Sequence, residues 1–186
     1  MDNWEILTTD YLLDSPWVKI VQDRLRHRGR GEERDYFYLT SPNEAVATVA
    51  LTDDGCVLLT RQYRHPIRQI IWDLPAGAMH PGEDPSAAAR RELEEETGYQ
   101  AGELIRLTYF NQFPGSMRVG THLFLARRLT WVGQHLDPGE ELQVVAMPFD
   151  QALKLVLSGE VIDGSLMLGL LLVAQKDLAP LDASHA

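Results

Sequence analysis

Three glutamates with helical spacing carry the clearest chemical signal in the sequence. Residues 91–98 read Arg-Glu-Leu-Glu-Glu-Glu-Thr-Gly. At about 100° per residue, Glu95 and Glu96 lie roughly 60° and 40° to either side of Glu92, whereas Glu94 points nearly opposite. Three carboxylates on one face suit Mg²⁺ or Mn²⁺. The alternative is a solvated acidic helix face.

The position of this cluster would destabilise the helix if no cation were bound. Like charges four residues apart destabilise a helix by a few tenths of a kcal/mol. Negative charge near the helix C-terminus also opposes the helix dipole. A bound cation would compensate both effects, but the helix alone leaves the alternative of a solvated acidic face open.

Local signals define the helix that carries these glutamates. Asp84 is a good N-cap, Pro85 suits the first helical position, and Gly98 suits a left-handed C-cap. A loop containing Gly77 and Gly82 precedes the helix. The sequence therefore predicts a helix between Asp84 and Gly98.

Apolar runs on both sides of this helix predict a mixed α/β domain. Residues 45–51 and 56–60 form a predicted hairpin around the turn 52–55. Further strands are predicted at 70–74, 104–110, 121–125 and 142–147, and further helices at 149–158 and 165–175.

The N-terminal part has a different pattern. Residues 4–7, 17–21 and 36–39 alternate apolar and polar side chains and predict strands, the last two forming a hairpin. Ser-Pro-Asn at 41–43 marks a boundary. We therefore divide the chain into an N-terminal β segment (1–42), a main domain (43–180) and a tail (181–186).

Composition excludes several classes of protein. The 186 residues are 45% hydrophobic and 24% charged, as in globular proteins, and carry a net charge of -10. Such an acidic surface argues against binding nucleic acid or anionic membranes. One cysteine and the lack of a leader or a long apolar run indicate a cytoplasmic protein without a membrane partner.

The helix and the loop before it together resemble the Nudix box. Gly77 is followed after five residues by Glu83, after seven more by Arg91-Glu92-Leu93, and then by Glu95-Glu96 and Gly98-Tyr99. Every specified position of that motif is filled. The resemblance implies a Nudix hydrolase with the family's α/β/α sandwich and mixed sheet.

The resemblance also implies roles for individual residues. Metal ligands would be the box glutamates and the backbone carbonyl before the box glycine: Glu92, Glu95, Glu96 and Ala76. Glu95 is also a candidate catalytic residue. The remaining box positions would be structural, with an ion pair between Glu83 and Arg91 and backbone requirements at Gly77 and Gly98.

Three stretches outside the box resemble the branch that hydrolyses ADP-ribose and nucleoside diphosphate sugars. Arg61 and Arg64 are candidate phosphate ligands, although they could be surface charges. Pro114 lies sixteen residues after Gly98, a spacing similar to the ADP-ribose signature, although Pro-Gly is a common turn. In this branch a later acidic loop supplies the base, here Glu140 or Glu141 unless that loop is only solvated.

The expected activity is Mg²⁺-dependent (or Mn²⁺-dependent) hydrolysis of ADP-ribose or a related nucleoside diphosphate sugar. Water activated by the metal would attack phosphorus and give a nucleoside monophosphate and a sugar phosphate. The alternatives are a GDP-mannose or other sugar-nucleotide pyrophosphatase, or a Nudix-fold sensor that binds a nucleotide without hydrolysis. The resemblance further implies a homodimer with an exchanged N-terminal segment, and a small nucleoside diphosphate derivative as the partner.

Overall fold

Two compact units make up the chain in the computed structural model, which describes residues 3–176 and 178. One unit combines the residues up to 44 with residues 111–120, and the other combines residues 45–110 with those from 121 onward. The expected tail at 181–186 and the outermost residues of the other two expected segments lie outside the described residues.

Strands dominate both units. In chain order the elements are β1 (Trp4–Asp14), β2 (Lys19–His27), β3 (Glu33–Thr40), β4 (Ala45–Leu51), β5 (Cys56–Arg64), β6 (Gln69–Asp73), β7 (Ala76–Ala78), α1 (Pro85–Thr97), β8 (Tyr99–Asn111), β9 (Met117–Arg118), β10 (Gly120–Trp131), β11 (Leu142–Pro148), α2 (Phe149–Ser158) and α3 (Gly164–Gln175).

The first unit contains a four-stranded sheet in the order β1-β2-β3-β9. β2 pairs antiparallel with both β1 and β3, which confirms the predicted N-terminal hairpin. β1 continues to Asp14, well beyond the predicted 4–7, and bulges after Ile6 and Tyr11 break its apolar alternation. The two-residue β9, parallel to β3, was not predicted because it is too short to show a pattern.

The second unit contains a sheet in the order β11-β5-β4-β10-β8, with β6 added to β5 and β7 added to β4. β4 pairs parallel with β10 and antiparallel with β5. The mixed sheet and the predicted hairpin at the turn 52–55 are therefore confirmed.

Alternating side chains of these strands bury two faces against different helices. Ala50, Leu58 and Ala126 pack with Leu93 of α1. Their neighbours Val49, Leu59 and Leu125 belong to the larger cluster that includes α2 and α3. Because successive strand residues point to opposite faces, the helices lie on both sides of the sheet. This arrangement is the expected α/β/α sandwich.

The boundaries of α1 are also confirmed. The side chain of Asp84 accepts hydrogen bonds from the N–H groups of Ser86 and Ala87 at 2.9 and 3.3 Å. Gly98 has φ 77° and donates its N–H to the carbonyl of Glu94 at 2.8 Å. These caps fix the helix on which the glutamates lie.

The prediction of a loop around Gly77 was partly wrong. Residues 76–78 form β7, which pairs with β4 through Ala47 and Ala76. Ala-Gly-Ala has no apolar alternation, so its pairing depends on the partner strand.

No helix among the described residues has the length and apolar character needed to cross a membrane.

Candidate active site

Glu96 joins α1 to β7. Its carboxylate accepts the N–H of Ala76 at 2.9 Å, and only 4% of the residue is exposed. The pKa of Glu96 is raised to about 9, chiefly by burial and in part by the charges of Glu140, Glu92 and Asp73, although the hydrogen bond from the Ala76 N–H lowers it. A buried acid in this environment is held where a cation would stabilise its charged form.

Arg91 lies between two of the other box carboxylates. Its Nη1 donates to Glu92 Oε1 at 2.7 Å and to Glu95 Oε2 at 3.0 Å. Burial nevertheless raises the pKa of Glu92, because Arg91 offsets that effect only in part and Glu95 and Glu140 add repulsion. One guanidinium therefore balances only part of the negative charge here.

The same guanidinium holds the loop before α1. Arg91 Nε and Nη2 donate to the two carboxylate oxygens of Glu83, each at 3.0 Å, and Nη2 also donates to the Ala78 carbonyl at 3.1 Å. The N–H of His80 donates to Glu83 at 2.8 Å. The hydrogen bond from Arg91 lowers the pKa of Glu83 to about 2. Glu83 and Arg91 thus tie loop and helix together.

The donor set suits a hard divalent cation. Glu92 and Glu96 are partly or fully buried oxygen donors whose pKa values are raised by burial and by neighbouring carboxylates. Among residues 3–176 and 178, no three acidic, histidine or cysteine side chains already converge closely enough to hold a metal. Glu92 and Glu95 instead form ion pairs with Arg91 at 2.7 and 3.0 Å.

The structure distinguishes the two glutamates of the later acidic loop. The charge of Glu140 acts on both Glu92 and Glu96, so Glu140 lies near the box carboxylates. It is half-buried in a turn, where its N–H donates to the Asp137 carbonyl at 3.0 Å. Glu141 is exposed. Both border a cavity of about 550 Å³, together with Arg61, Tyr63, Ile70 and Leu136.

Arg64 forms an ion pair with the buried carboxylate of Asp73. Arg64 Nε donates to Asp73 Oδ2 at 3.2 Å and Nη2 contacts the same oxygen, while the Leu74 N–H donates to Oδ1 at 2.9 Å. Asp163 lies nearby as the N-cap of α3, and burial and Asp73 raise its pKa to about 6. Asp73 and Asp163 were not predicted from the sequence as neighbours of Arg64. The Asp-Gly-Ser start of α3 was an available signal for Asp163.

The other two predicted substrate residues have different neighbours from Arg64. The guanidinium of Arg61 lies over the ring of Trp72, 5.0 Å from its centroid. Pro114 belongs to the other unit, where it borders a cavity of about 270 Å³ with Tyr36, Tyr38 and Arg118.

Comparisons with known proteins relate the chain to one family. The family model described as NUDIX domain matches residues 41–164. The chain is 38% identical over 145 residues to an ADP-ribose pyrophosphatase of Bacillus subtilis, which covers 77% of each protein. It is 36% identical over 178 residues to an ADP-ribose pyrophosphatase of Mycobacterium tuberculosis, covering 92% of this chain and 83% of that protein.

Other similar proteins are described by a different activity. GDP-mannose pyrophosphatases of Escherichia coli are 33% identical over 138 residues, or 68% of this chain and 70% of theirs. A crystal structure described as an ADP compounds hydrolase superposes with a TM-score of 0.84 and covers 95% of both chains at 24% identity, which supports the fold.

Proposed function

The chain belongs to the Nudix family of hydrolases, and we propose that it hydrolyses the pyrophosphate bond of ADP-ribose with a divalent metal, preferably Mg²⁺. The products are AMP and ribose 5-phosphate. The observation that carries this proposal is the group of carboxylates around Glu96, where the pKa of both Glu92 and Glu96 is raised. Grouping these acids in a buried site is costly unless a cation or a proton neutralises them, and a divalent cation would do so in the ionised form.

The metal-binding residues in this proposal are Glu92, Glu95, Glu96 and the carbonyl of Ala76. When bound, a divalent cation neutralises the pyrophosphate oxygens and lowers the pKa of a bound water. Arg91 and Glu83 hold the loop and helix that present these ligands. Gly77 gives the carboxyl group of Glu92 the space that it occupies.

Glu140 is the proposed general base. It is half-buried, and its charge raises the pKa values of Glu92 and Glu96, so it lies close to both. It can therefore accept a proton from a water molecule near them. Glu141 is exposed and becomes the second candidate, and Glu95 is the third because it lies on the helix itself.

Arg64 is the proposed phosphate ligand of the substrate. Asp73 accepts from its Nε and Nη2, so Nη1 is not used by that ion pair and can donate to a phosphate oxygen. Arg61 and Pro114 are further proposed substrate contacts, Arg61 because it borders the same cavity as Glu140.

The leading alternative is another sugar nucleotide, GDP-mannose first, because GDP-mannose pyrophosphatases are also similar to this chain. ADP-ribose ranks higher because the two similar ADP-ribose pyrophosphatases match more of this chain, 77% and 92%, than the GDP-mannose pyrophosphatases do. A non-hydrolysing nucleotide sensor ranks lowest, since it would not need a complete set of metal carboxylates.

We extend the proposal to a homodimer formed through the N-terminal β segment (1–42). Its support is the exposure of large apolar side chains on this sheet, including Ile6, Tyr11, Leu12 and Phe37. Light scattering coupled to size-exclusion chromatography tests it, and a monomer at micromolar concentration would refute it.

The single cysteine and the net charge of -10 favour the cytoplasm and a small-molecule partner rather than nucleic acid or membrane.

Hydrolysis of ADP-ribose, GDP-mannose, ADP-glucose, NADH and diadenosine polyphosphate should be compared side by side with Mg²⁺, Mn²⁺ and EDTA, and the products identified. We expect the highest kcat/KM for ADP-ribose and no turnover with EDTA. A preference for GDP-mannose would change the proposed substrate and leave the proposed metal site unaffected. Tight nucleotide binding without turnover of any compound would favour the sensor.

A further inference from the structure

The segment that follows β10 covers the C-terminal end of α1. The N–H of Val132 donates to the Gly98 carbonyl at 2.8 Å, and the N–H of His135 donates to the Glu95 carbonyl at 3.0 Å. The side-chain amide of Gln134 donates to the Glu96 carbonyl at 2.6 Å. Carbonyls at the end of a helix have no partner within it, so this segment satisfies groups that would otherwise need water.

Trp131 fixes the start of the same segment. Its ring lies against Gly98, where a Cβ atom would overlap it, and it meets the ring of Tyr99 edge-on at 5.2 Å between centroids. Gly98 therefore serves two purposes, because its positive φ ends the helix and its missing side chain admits Trp131.

Glu140 follows this anchored segment closely. Its N–H donates to the Asp137 carbonyl at 3.0 Å, and its carboxylate accepts from the Asp137 N–H at 3.4 Å. β11 begins at Leu142 and pairs with β5, which fixes the other side. Without the contacts to α1, all of residues 132–141 would be a loop held only at its ends, with correspondingly more conformations.

We propose that Gln134 is a positioning residue, which holds segment 132–135 on the backbone of Glu95 and Glu96 and thereby sets the place of Glu140 relative to the metal-binding face of α1. The inference rests on the proposed function, because it assumes that Glu140 acts as the base. The other anchoring donors are the backbone N–H groups of Val132, Gly133 and His135, so the Gln134 amide is the anchoring donor that substitution can remove.

Gln134→Met removes the donor and keeps the length of the side chain. We expect kcat to fall roughly tenfold, with KM nearly unchanged, because a small displacement of a reacting group is costly while substrate contacts remain. Gln100→Met is the matched control, since Gln100 donates its side-chain amide to Glu94 at 2.9 Å near the same helix end without contacting the segment. An unchanged kcat in Gln134→Met would overturn the proposal.

A double-mutant cycle separates positioning from general stability. If Gln134 acts through Glu140, Gln134→Met has almost no further effect on kcat once Glu140→Gln is present. Fully additive losses would overturn the proposal, because they would mean that Gln134 acts independently of Glu140.

Amide hydrogen exchange tests the anchor without using activity. We expect faster exchange at Val132 and His135 in Gln134→Met and no change there in Gln100→Met. Unchanged exchange at both amides would refute the anchor. If Glu140→Gln retained full kcat, the assignment of the base in the proposed function would fail, and the positioning role would fail with it. An inactive Glu140→Gln beside a fully active Gln134→Met would refute the positioning role alone.

Discussion

The carboxyl group of Glu92 occupies the space that a side chain at Gly77 would need. A Cβ atom at residue 77 would overlap the Cδ and both oxygens of Glu92. Gly77 lies in β7, opposite Val46 of β4. Glycine at this position therefore leaves room for the Glu92 carboxyl group and does not serve a turn.

Gly77→Ala is expected to lower activity strongly with little loss of stability. The overlapping atoms are the end of a flexible side chain, so the Glu92 carboxyl can swing away at about 1 kcal/mol. Its displacement from the metal-binding face should lower kcat/KM at least roughly 100-fold. Gly164→Ala is the control, because the space beside Gly164 is open. Kinetics and thermal unfolding check both variants, and an active Gly77→Ala would contradict the role of Glu92.

Glu96 should make the metal-free protein less stable as pH rises. Its pKa is raised to about 9 in the folded state from an ordinary value of 4.5, so the folded state binds more protons between these values. The free energy of unfolding contributed by Glu96 therefore falls across that window. Mg²⁺ binds the ionised form, so its stabilising effect should grow with pH.

Glu96→Gln tests both the pH dependence of stability and the stabilisation by Mg²⁺. We expect a flatter dependence of unfolding free energy on pH in EDTA, loss of stabilisation by Mg²⁺, and a fall in kcat by orders of magnitude. Glu94→Gln on the opposite side of α1 should leave all three unchanged. Urea unfolding at several pH values provides the measurement, and an unaltered slope in Glu96→Gln would show that another group titrates.

The two glutamates of the later loop should differ sharply. Glu140→Gln keeps the shape of the side chain but removes the proposed base, so kcat should fall by roughly 10²–10⁴. Glu141→Gln should retain most activity because Glu141 is exposed. Steady-state kinetics with ADP-ribose compares them. Two fully active variants would refute a base in this loop.

Arg64 and Asp73 allow stability and activity to be separated. Arg64→Ala leaves the 3% exposed Asp73 carboxylate without its cation, which should cost about 1–3 kcal/mol of unfolding free energy. Adding Asp73→Asn removes the buried charge and should restore much of that stability. Activity should stay low in both, because neither variant has the guanidinium that binds phosphate. Recovery of activity in the double variant would mean that Arg64 is only structural.

The sequence determined the helix and the chemical type of its residues. Asp84, Pro85 and Gly98 fix the ends of α1 through contacts within a few residues, and the spacing of the glutamates follows from the helical period alone. The turn 52–55 likewise fixed the hairpin of β4 and β5. These features are local, so a single sequence suffices to predict them.

Only the tertiary structure decided which distant residues meet these glutamates. Nothing in the sequence separates Glu140 from Glu141, and nothing shows that Asp73 pairs with Arg64 or that Gln134 binds the end of α1. These contacts depend on how β11, β6 and the segment after β10 are placed by strand pairing and core packing. Burial then changes the protonation of these carboxylates, because a glutamate has an ordinary pKa in water and a pKa of about 9 at position 96.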